Sequence, residues 1–226
     1  MFALPGGTAE IHWRRNARAR RVSLRIDPCD GTVVVTLPPR AGRKAGVALL
    51  MTHAAWVSDR LAALPGAVPF VDGAVIPIDG VPHRLRSMPH ARRGVWVEDD
   101  EIHVSGGAEF FRRRLSDFLR AEARRRFAAL ADEKAKQVGL TVRRVTVKDT
   151  RSRWGSCAPD GAISFSWRLL MAPPFVQDYV AAHEVAHLRH MNHGKRFWSL
   201  VTRLTPHMDE AIAWLRGQGA RLLRIG

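Results

Sequence analysis

Residues 175–191 read FVQDYVAAHEVAHLRHM, seventeen positions without a glycine or proline, stopped in front by Pro173-Pro174 and behind by Asn192-His193-Gly194. No other stretch constrains the fold as tightly. Proline is accepted in the first turn of a helix and rejected inside one, so the spacing predicts one helix from Phe175 to about Met191. Inside it stands His183-Glu184-x-x-His187. Helical residues four apart share a face and lie about 6 Å apart along the axis, so both imidazoles can reach a single ion. Neutral imidazole suits Zn²⁺. Glu184 flanks the same face, where a carboxylate can take the proton from a metal-activated water.

Two imidazoles hold a metal weakly, and the chain offers two further candidates, His190 and His193. His190 lies on nearly the same face as His183 but two turns on, about 10.5 Å along the axis, which a straight helix cannot close around one ion. Asn192 and Gly194 permit the chain to leave the helix and turn back, so His193 is assigned as the third ligand. His190 is read as a surface residue or a support behind the ligands. Three histidines with a carboxylate that need not bind leave one coordination position open, the pattern of a catalytic site.

Charge supplies a second reading. Thirty-six Lys and Arg against twenty-one Asp and Glu give +15, enough to attract polyanions at moderate salt. The alternative expectation is therefore a nucleic-acid-associated protein, with a structural zinc helix or a protease acting on DNA-bound proteins. Arginine runs such as Arg112-Arg113-Arg114 and Arg124-Arg125-Arg126 are equally explained as solvated helix faces, and no nucleic-acid fold signature accompanies them. No apolar run reaches the length of a membrane span, and MFALPGGTAEIHWRR lacks the basic start and apolar core of a signal peptide. A cytoplasmic location with reduced thiols at Cys29 and Cys157 is expected, and neither cysteine has the spacing of a thiolate zinc site.

The remaining pattern is mixed. ARRVSLRI, the turn DPCDG and TVVVTLP read as a hairpin, and Arg43 to Leu64 as one helix. AVIPIDG, PHRLRS, GVWVED and EIHVSG are short strands, the first an edge because of Pro77. A helix follows from Glu109 to Gln137, its inner face drawn through Phe111, Leu115, Phe118, Glu122 and Ala129. LTVRRVTVKD and AISFSWRLL read as strands around a loop, RSRWGSCAPDG, and a last helix carries Asp209 and Glu210. The expected class is α+β: a β-rich N-terminal domain with one helix over residues 1–106, then a domain over 107–226, with the boundary at Gly106-Gly107.

WGSC at Trp154–Cys157, ISFSWRL, DYVAAHEVAH and NHGKRFW together resemble the YgjP-like metallopeptidase family, a group of zincins similar to SprT-like and WLM proteases. RARRVSLRI, the helix carrying Trp56 and VDGAVIPIDGVPHRL match in the N-terminal half, so the likeness spans nearly the whole chain. Ser166 departs from it, standing where an asparagine is common. The resemblance implies a zincin-like domain of helices and antiparallel sheet around the HExxH helix, a Zn²⁺ cofactor and a peptide or protein substrate. It implies His183 and His187 as helix ligands, Glu184 as the catalytic glutamate and His193 as third ligand. It also implies an edge strand that aligns an extended substrate, for which AISFSW is the expected segment. Trp154, Trp167, Phe197 and Trp198 are read as core, Tyr179 and Asp209 or Glu210 as supports for a ligand. Arginines 151, 153 and 168 are too many to single out one as an oxyanion partner.

Overall fold

A computed structural model describes residues 2–5 and 7–226, and it divides into two compact units, Met1–Ala67 and Val68–Gly226. The expected boundary at Gly106-Gly107 falls inside the second unit. The physical reason is shared burial. Ile76, Leu85, Ile102 and Val104 of the strands before Gly106 sit in one core cluster with Phe111, Leu115 and Phe127 of the helix after it.

In the first unit β1 (Phe2–Leu4) pairs antiparallel with β2 (Gly7–Ala9). Three more strands, β3 (Ile11–Arg15), β4 (Ser23–Ile26) and β5 (Val33–Leu37), form a sheet with β5 in the middle. The expected hairpin is the antiparallel β4–β5 pair. The single helix expected over Arg43–Leu64 is two, α1 (Arg43–Thr52) and α2 (Ala54–Ala62), broken at His53, whose backbone lies at φ −109°, ψ 18°. Gly46 leaves room for the Trp13 ring against α1, since a Cβ there would sit 2.5 Å from it and force it to shift. The small core is Val33, Val35, Leu37, Leu50 and Val57 with Ala9.

The second unit opens with β6 (Val75–Ile78), β7 (Val81–Met88), β8 (Val95–Glu98) and β9 (Glu101–Ser105), ordered β6-β7-β9-β8. Pro77 lies on an edge strand, where its missing N–H costs no ladder bond. Helix α3 (Ala108–Lys136) buries Phe111, Leu115, Leu119, Ala123, Phe127, Ala131 and Ala135. These recur every four residues. Each step of four rotates about 40° past a full turn, so the buried stripe winds around the helix instead of running straight. That is why the face drawn through Phe118, Glu122 and Ala129 is not the buried one: α3 is packed in turn by β8 and β9, the 3₁₀ segment, α4 and β10.

The last sheet is β10 (Arg144–Lys148), β11 (Gly155–Cys157) and β12 (Ala162–Ser166), with β12 central, parallel to β10 and antiparallel to β11. Two local readings change here. GSC, expected as loop, is an edge strand, as is β10, and AISFS, expected as the edge, is paired on both sides. WRLLM (Trp167–Met171) leaves the strand as a 3₁₀ helix. Helices α4 (Pro174–His187), α5 (Lys195–Leu204) and α6 (Met208–Leu222) complete the chain. Among the described residues no helix is long and apolar enough to cross a membrane.

Candidate metal centre

Helix α4 starts where the prolines place it, with Pro174 in its first turn, but it stops four residues earlier than the sequence pattern predicts. It ends at His187, with the Leu188, Arg189 and His190 amides closing tight turns onto Val185 and Ala186 carbonyls. Among the described residues none from 188 to 194 takes a positive φ. The reversal therefore comes from this tightened last turn and from the Gly194 N–H on the Asn192 carbonyl (2.8 Å), with Gly194 itself extended. No left-handed residue is needed. The consequence is that His193 arrives beside α4 without a long loop.

The rings of His183, His187 and His193 come together, with centroids 5.1, 5.1 and 4.7 Å apart. One ligand nitrogen from each lies within 4.8 Å of the others. His183 Nε2 and His193 Nε2 are 3.2 Å apart. Two nitrogens bound to one tetrahedral ion at 2.0–2.1 Å would stand about 3.3 Å apart. The observed separation fits a shared ion.

His187 Nδ1 lies 3.0 Å from the His190 carbonyl oxygen. A carbonyl only accepts, so Nδ1 carries the proton and Nε2 keeps its lone pair. His190 thus supports the site through its backbone, and its own ring is not among the converging three. Burial, then the neighbouring His187 and His193, push His183 down to about 4. Burial also lowers His187, against its bond to His190. Both shifts favour the neutral ring that metal binding requires. His183 Nδ1 is buried with no hydrogen-bond partner among the described residues.

Phe197, on the first turn of α5, packs against all three imidazoles, with ring centroids at 4.9, 4.5 and 4.7 Å. Trp198 lies 5.8 Å from His183 and 5.7 Å from His193. Both were readable as core. Their role of holding the ligand rings from behind is visible only in three dimensions.

Glu184 is 5% exposed, and its Oε2 has no partner among the described residues. Burial raises its carboxyl to about 7, opposed by the Arg153 guanidinium. A carboxyl so placed holds and releases a proton near neutrality. Room for it comes from Gly155 of WGSC: a Cβ there would stand 2.5 Å from Glu184 Oε1. A motif glycine with an ordinary backbone angle, facing a catalytic-looking acid, was the signal that sequence reading passed over. Glu184 and His183 open onto a cavity of about 250 Å³ lined also by Arg153, Trp154, Tyr179 and Leu215.

A family model matches most of the chain. It is that of the YgjP-like, metallopeptidase domain, and it covers residues 20–218. The chain belongs to the YgjP-like metallopeptidase family. No curated protein and no solved structure matches it.

Other residues weighed from this metallopeptidase's sequence take different places. Tyr179 meets His183 edge-on at 5.9 Å, its hydroxyl raised by burial and then by Glu184. Asp209 and Glu210 occupy the first turn of α6, where Glu210 stands 3.9 Å from His207 Nδ1, and they serve a helix N-terminus. Arg168 is buried over the Trp167 ring, donating to the Ile225 carbonyl and to Asp149; it is structural. Arg153 is the arginine that lines the metal-side cavity. Cys157, pushed up to about 11 by burial and then by Glu184 and Asp160, remains a protonated thiol beside the site.

Proposed function

We propose that this metallopeptidase hydrolyses peptide bonds with Zn²⁺ held by His183, His187 and His193, and with Glu184 as general base. The reading is carried by one observation: three imidazole nitrogens converge, His183 Nε2 and His193 Nε2 at 3.2 Å, next to a buried carboxyl whose Oε2 has no partner among the described residues. Zn²⁺, when bound, supplies Lewis acidity that acidifies water and polarises a carbonyl. Borderline-soft imidazoles with no thiolate and no carboxylate in the set suit zinc above magnesium or calcium.

The chain's own residues do the rest. His187 is held in one tautomer by the His190 carbonyl, and Phe197 fixes all three ring planes, so little reorganisation is needed when the ion binds. Glu184 takes the proton from the attacking water and delivers it to the leaving amine; its raised pKa suits both halves of that task. The edge strand β11 is the surface on which an extended peptide can align. In the β11–β12 pair the Ser166 N–H reaches the Trp154 carbonyl and the Ala158 N–H reaches the Ala162 carbonyl. By antiparallel alternation, Gly155 and Cys157 then turn their N–H and C=O groups to the outer edge. Arg153 and Tyr179, on the cavity wall, are placed to meet charge on a reacting carbonyl.

The test is a peptide-library digest with metal analysis of the purified protein and of Glu184→Gln. The expected result is cleavage by the wild-type chain, and no cleavage with metal retained in the variant. Undiminished cleavage by Glu184→Gln would remove the mechanism.

A second reading has its own observation. A depression of about 440 Å³ beside the His193 loop is lined by Arg189, His190, Lys195, Arg196 and Arg203 together with Ser199 and Leu200, without a carboxylate. Lys195, Ser199 and Arg203 repeat every four residues along one face of α5. Nucleic acid steered to this face would place the metallopeptidase on nucleic-acid-bound substrates. Salt-dependent retention of single-stranded or duplex DNA, reduced in Lys195→Ala/Arg196→Ala/Arg203→Ala, checks it; no retention at low salt removes it.

A further inference from the structure

Tyr179 stands four residues before His183, and Val180 four before Glu184. Each therefore lies one turn of α4 ahead of a group of the metal centre, on the same face. The cavity of about 250 Å³ that opens from His183 and Glu184 runs over both. The rest of its wall comes from two segments remote in sequence: Trp154, just ahead of β11, and Leu215 of α6. Leu215 and Gly219 are four apart and share a face of α6. Gly219 leaves room for the Trp154 indole, since a Cβ there would sit 3.2 Å from it.

Trp154 and Leu215 pack on the main core yet stay half-buried, so part of each faces the cavity. Val180 and Tyr179 are 4% and 7% exposed. The result is a continuous apolar wall beside the metal centre, and covering it with another apolar group is favourable in proportion to the area taken from water. Arg153 is exposed, which puts its charge at the mouth of the cavity and not in the wall. The volume falls below the roughly 300–1,000 Å³ of pockets that hold whole small ligands and suits a single side chain. His183 and Glu184 belong both to the cavity and to the metal centre. An extended chain advances only about 3.4 Å per residue, so a side chain touching them belongs to a residue joined by the bond being cut.

We propose that this cavity is a specificity pocket for one large apolar side chain, such as Leu or Phe, on one of the two residues that the scissile bond joins. Trp154 and Leu215 set the preference. The inference rests on the hydrolytic reading of the metal centre and adds the substrate class: peptides with a bulky apolar residue at the cut. A small residue leaves the wall wet. A polar isostere such as Asn gives up hydrogen bonds to water against Trp154, Val180 and Leu215, which offer no side-chain partner inside the wall.

Two measurements test it. A peptide-library digest by the full chain reads the residues on either side of each cut. Titration calorimetry on Glu184→Gln reads binding of N-acetyl-Ala-Ala-X-Ala-Ala-amide, where X is Phe, Leu, Ala or Asn and is the one position that varies. Leu and Phe are expected to dominate one flanking position of the cuts. They should also bind at least about tenfold more tightly than Ala or than Asn, the near-isostere of Leu. Leu215→Trp fills the cavity and should reduce that advantage by about tenfold. Leu215→Ala, at a half-buried position, alters the same wall without adding bulk and should reduce it by about fivefold. Binding in this order without any cut would remove hydrolysis and sustain the pocket. Cuts with no apolar preference at either flanking position would leave hydrolysis standing and overturn the pocket. Equal binding of Leu, Ala and Asn would overturn it too, as would Leu215 variants that leave the order unmoved, or no heat from any peptide up to about 10 mM.

Discussion

Helices α3 and α4 pack against each other and are built on opposite terms. Helix α3 spends 29 residues on eight buried side chains and leaves most of its arginines exposed, Arg114 and Arg126 being the half-buried exceptions. Helix α4 buries ten of its fourteen residues, among them Gln177, Glu184 and His187, on every side. Polar groups on α3 are mostly solvated and cheap to exchange. Those on α4 were taken out of water, so each must be satisfied, shifted in pKa or put to use. The difference teaches where buried polar groups concentrate in this protein: on the short helix that tertiary structure has surrounded, not on the long basic one.

The sharpest way to break this contrast is at Glu184. Replacing it with Gln keeps shape and burial, and turnover should fall by about 10³-fold with metal content unchanged, the contribution expected of a general base. Steady-state cleavage of a fluorogenic peptide, with metal analysis, measures both. Next comes the joint between the two helices. Lys134 of α3, 6% exposed, reaches Asp178 of α4 at 2.5 Å and the Leu204 carbonyl at 2.8 Å. Lys134→Met strands a carboxylate that is itself 21% exposed, so the cost should be about 2–3 kcal/mol, below that of a fully buried pair. A denaturant midpoint that does not move would show that the helices are held by apolar packing alone.

A smaller effect is expected from Gly155→Ala. The added methyl must displace the Glu184 carboxylate, costing about 1–2 kcal/mol by overpacking and lowering turnover while the three histidines still bind metal. Rates that survive intact would separate Glu184 from the chemistry. Smaller still is the acid limb of stability. Burial pushes the Asp149 carboxyl up, but Arg168, Trp167 and Arg120 outweigh it and leave the group below the ordinary carboxylate range. A depressed folded pKa contributes stability that is present above the unfolded value and is lost as pH falls through the folded one. Asp149 is 49% exposed, which limits this to about 1 kcal/mol or less. Asp149→Asn should flatten that limb in a pH series of denaturant midpoints. Last, Arg124→Ala on the exposed side of α3 should stay within about 0.5 kcal/mol in thermal melts. A cost equal to that of Lys134→Met would abolish the distinction between the two helices.

Much of this was legible before any coordinates. Proline punctuation located the start of α4, alternation located the strands, and the i, i+4 histidines needed nothing but helical geometry to be paired. His193 could be chosen over His190 because 10.5 Å along an axis is too far for one ion. Other features were hidden because they depend on partners remote in sequence. The every-fourth stripe of α3 winds because several elements surround that helix. AISFS is central and GSC lies at an edge because β10, arriving from before both, occupies the other side of β12.

By itself, then, the amino-acid order determined the kinds of element, the helix that carries the imidazoles, and which three of them one ion can reach, since those follow from local dihedral preferences and fixed rise per residue. Only tertiary structure decided that Glu184 is buried with its Oε2 unpartnered among the described residues, that burial pushes its carboxyl up to about 7, and that Gly155 makes its room. Burial and pairing are properties of contacts between distant segments, and no local pattern encodes the dielectric in which a side chain will finally sit.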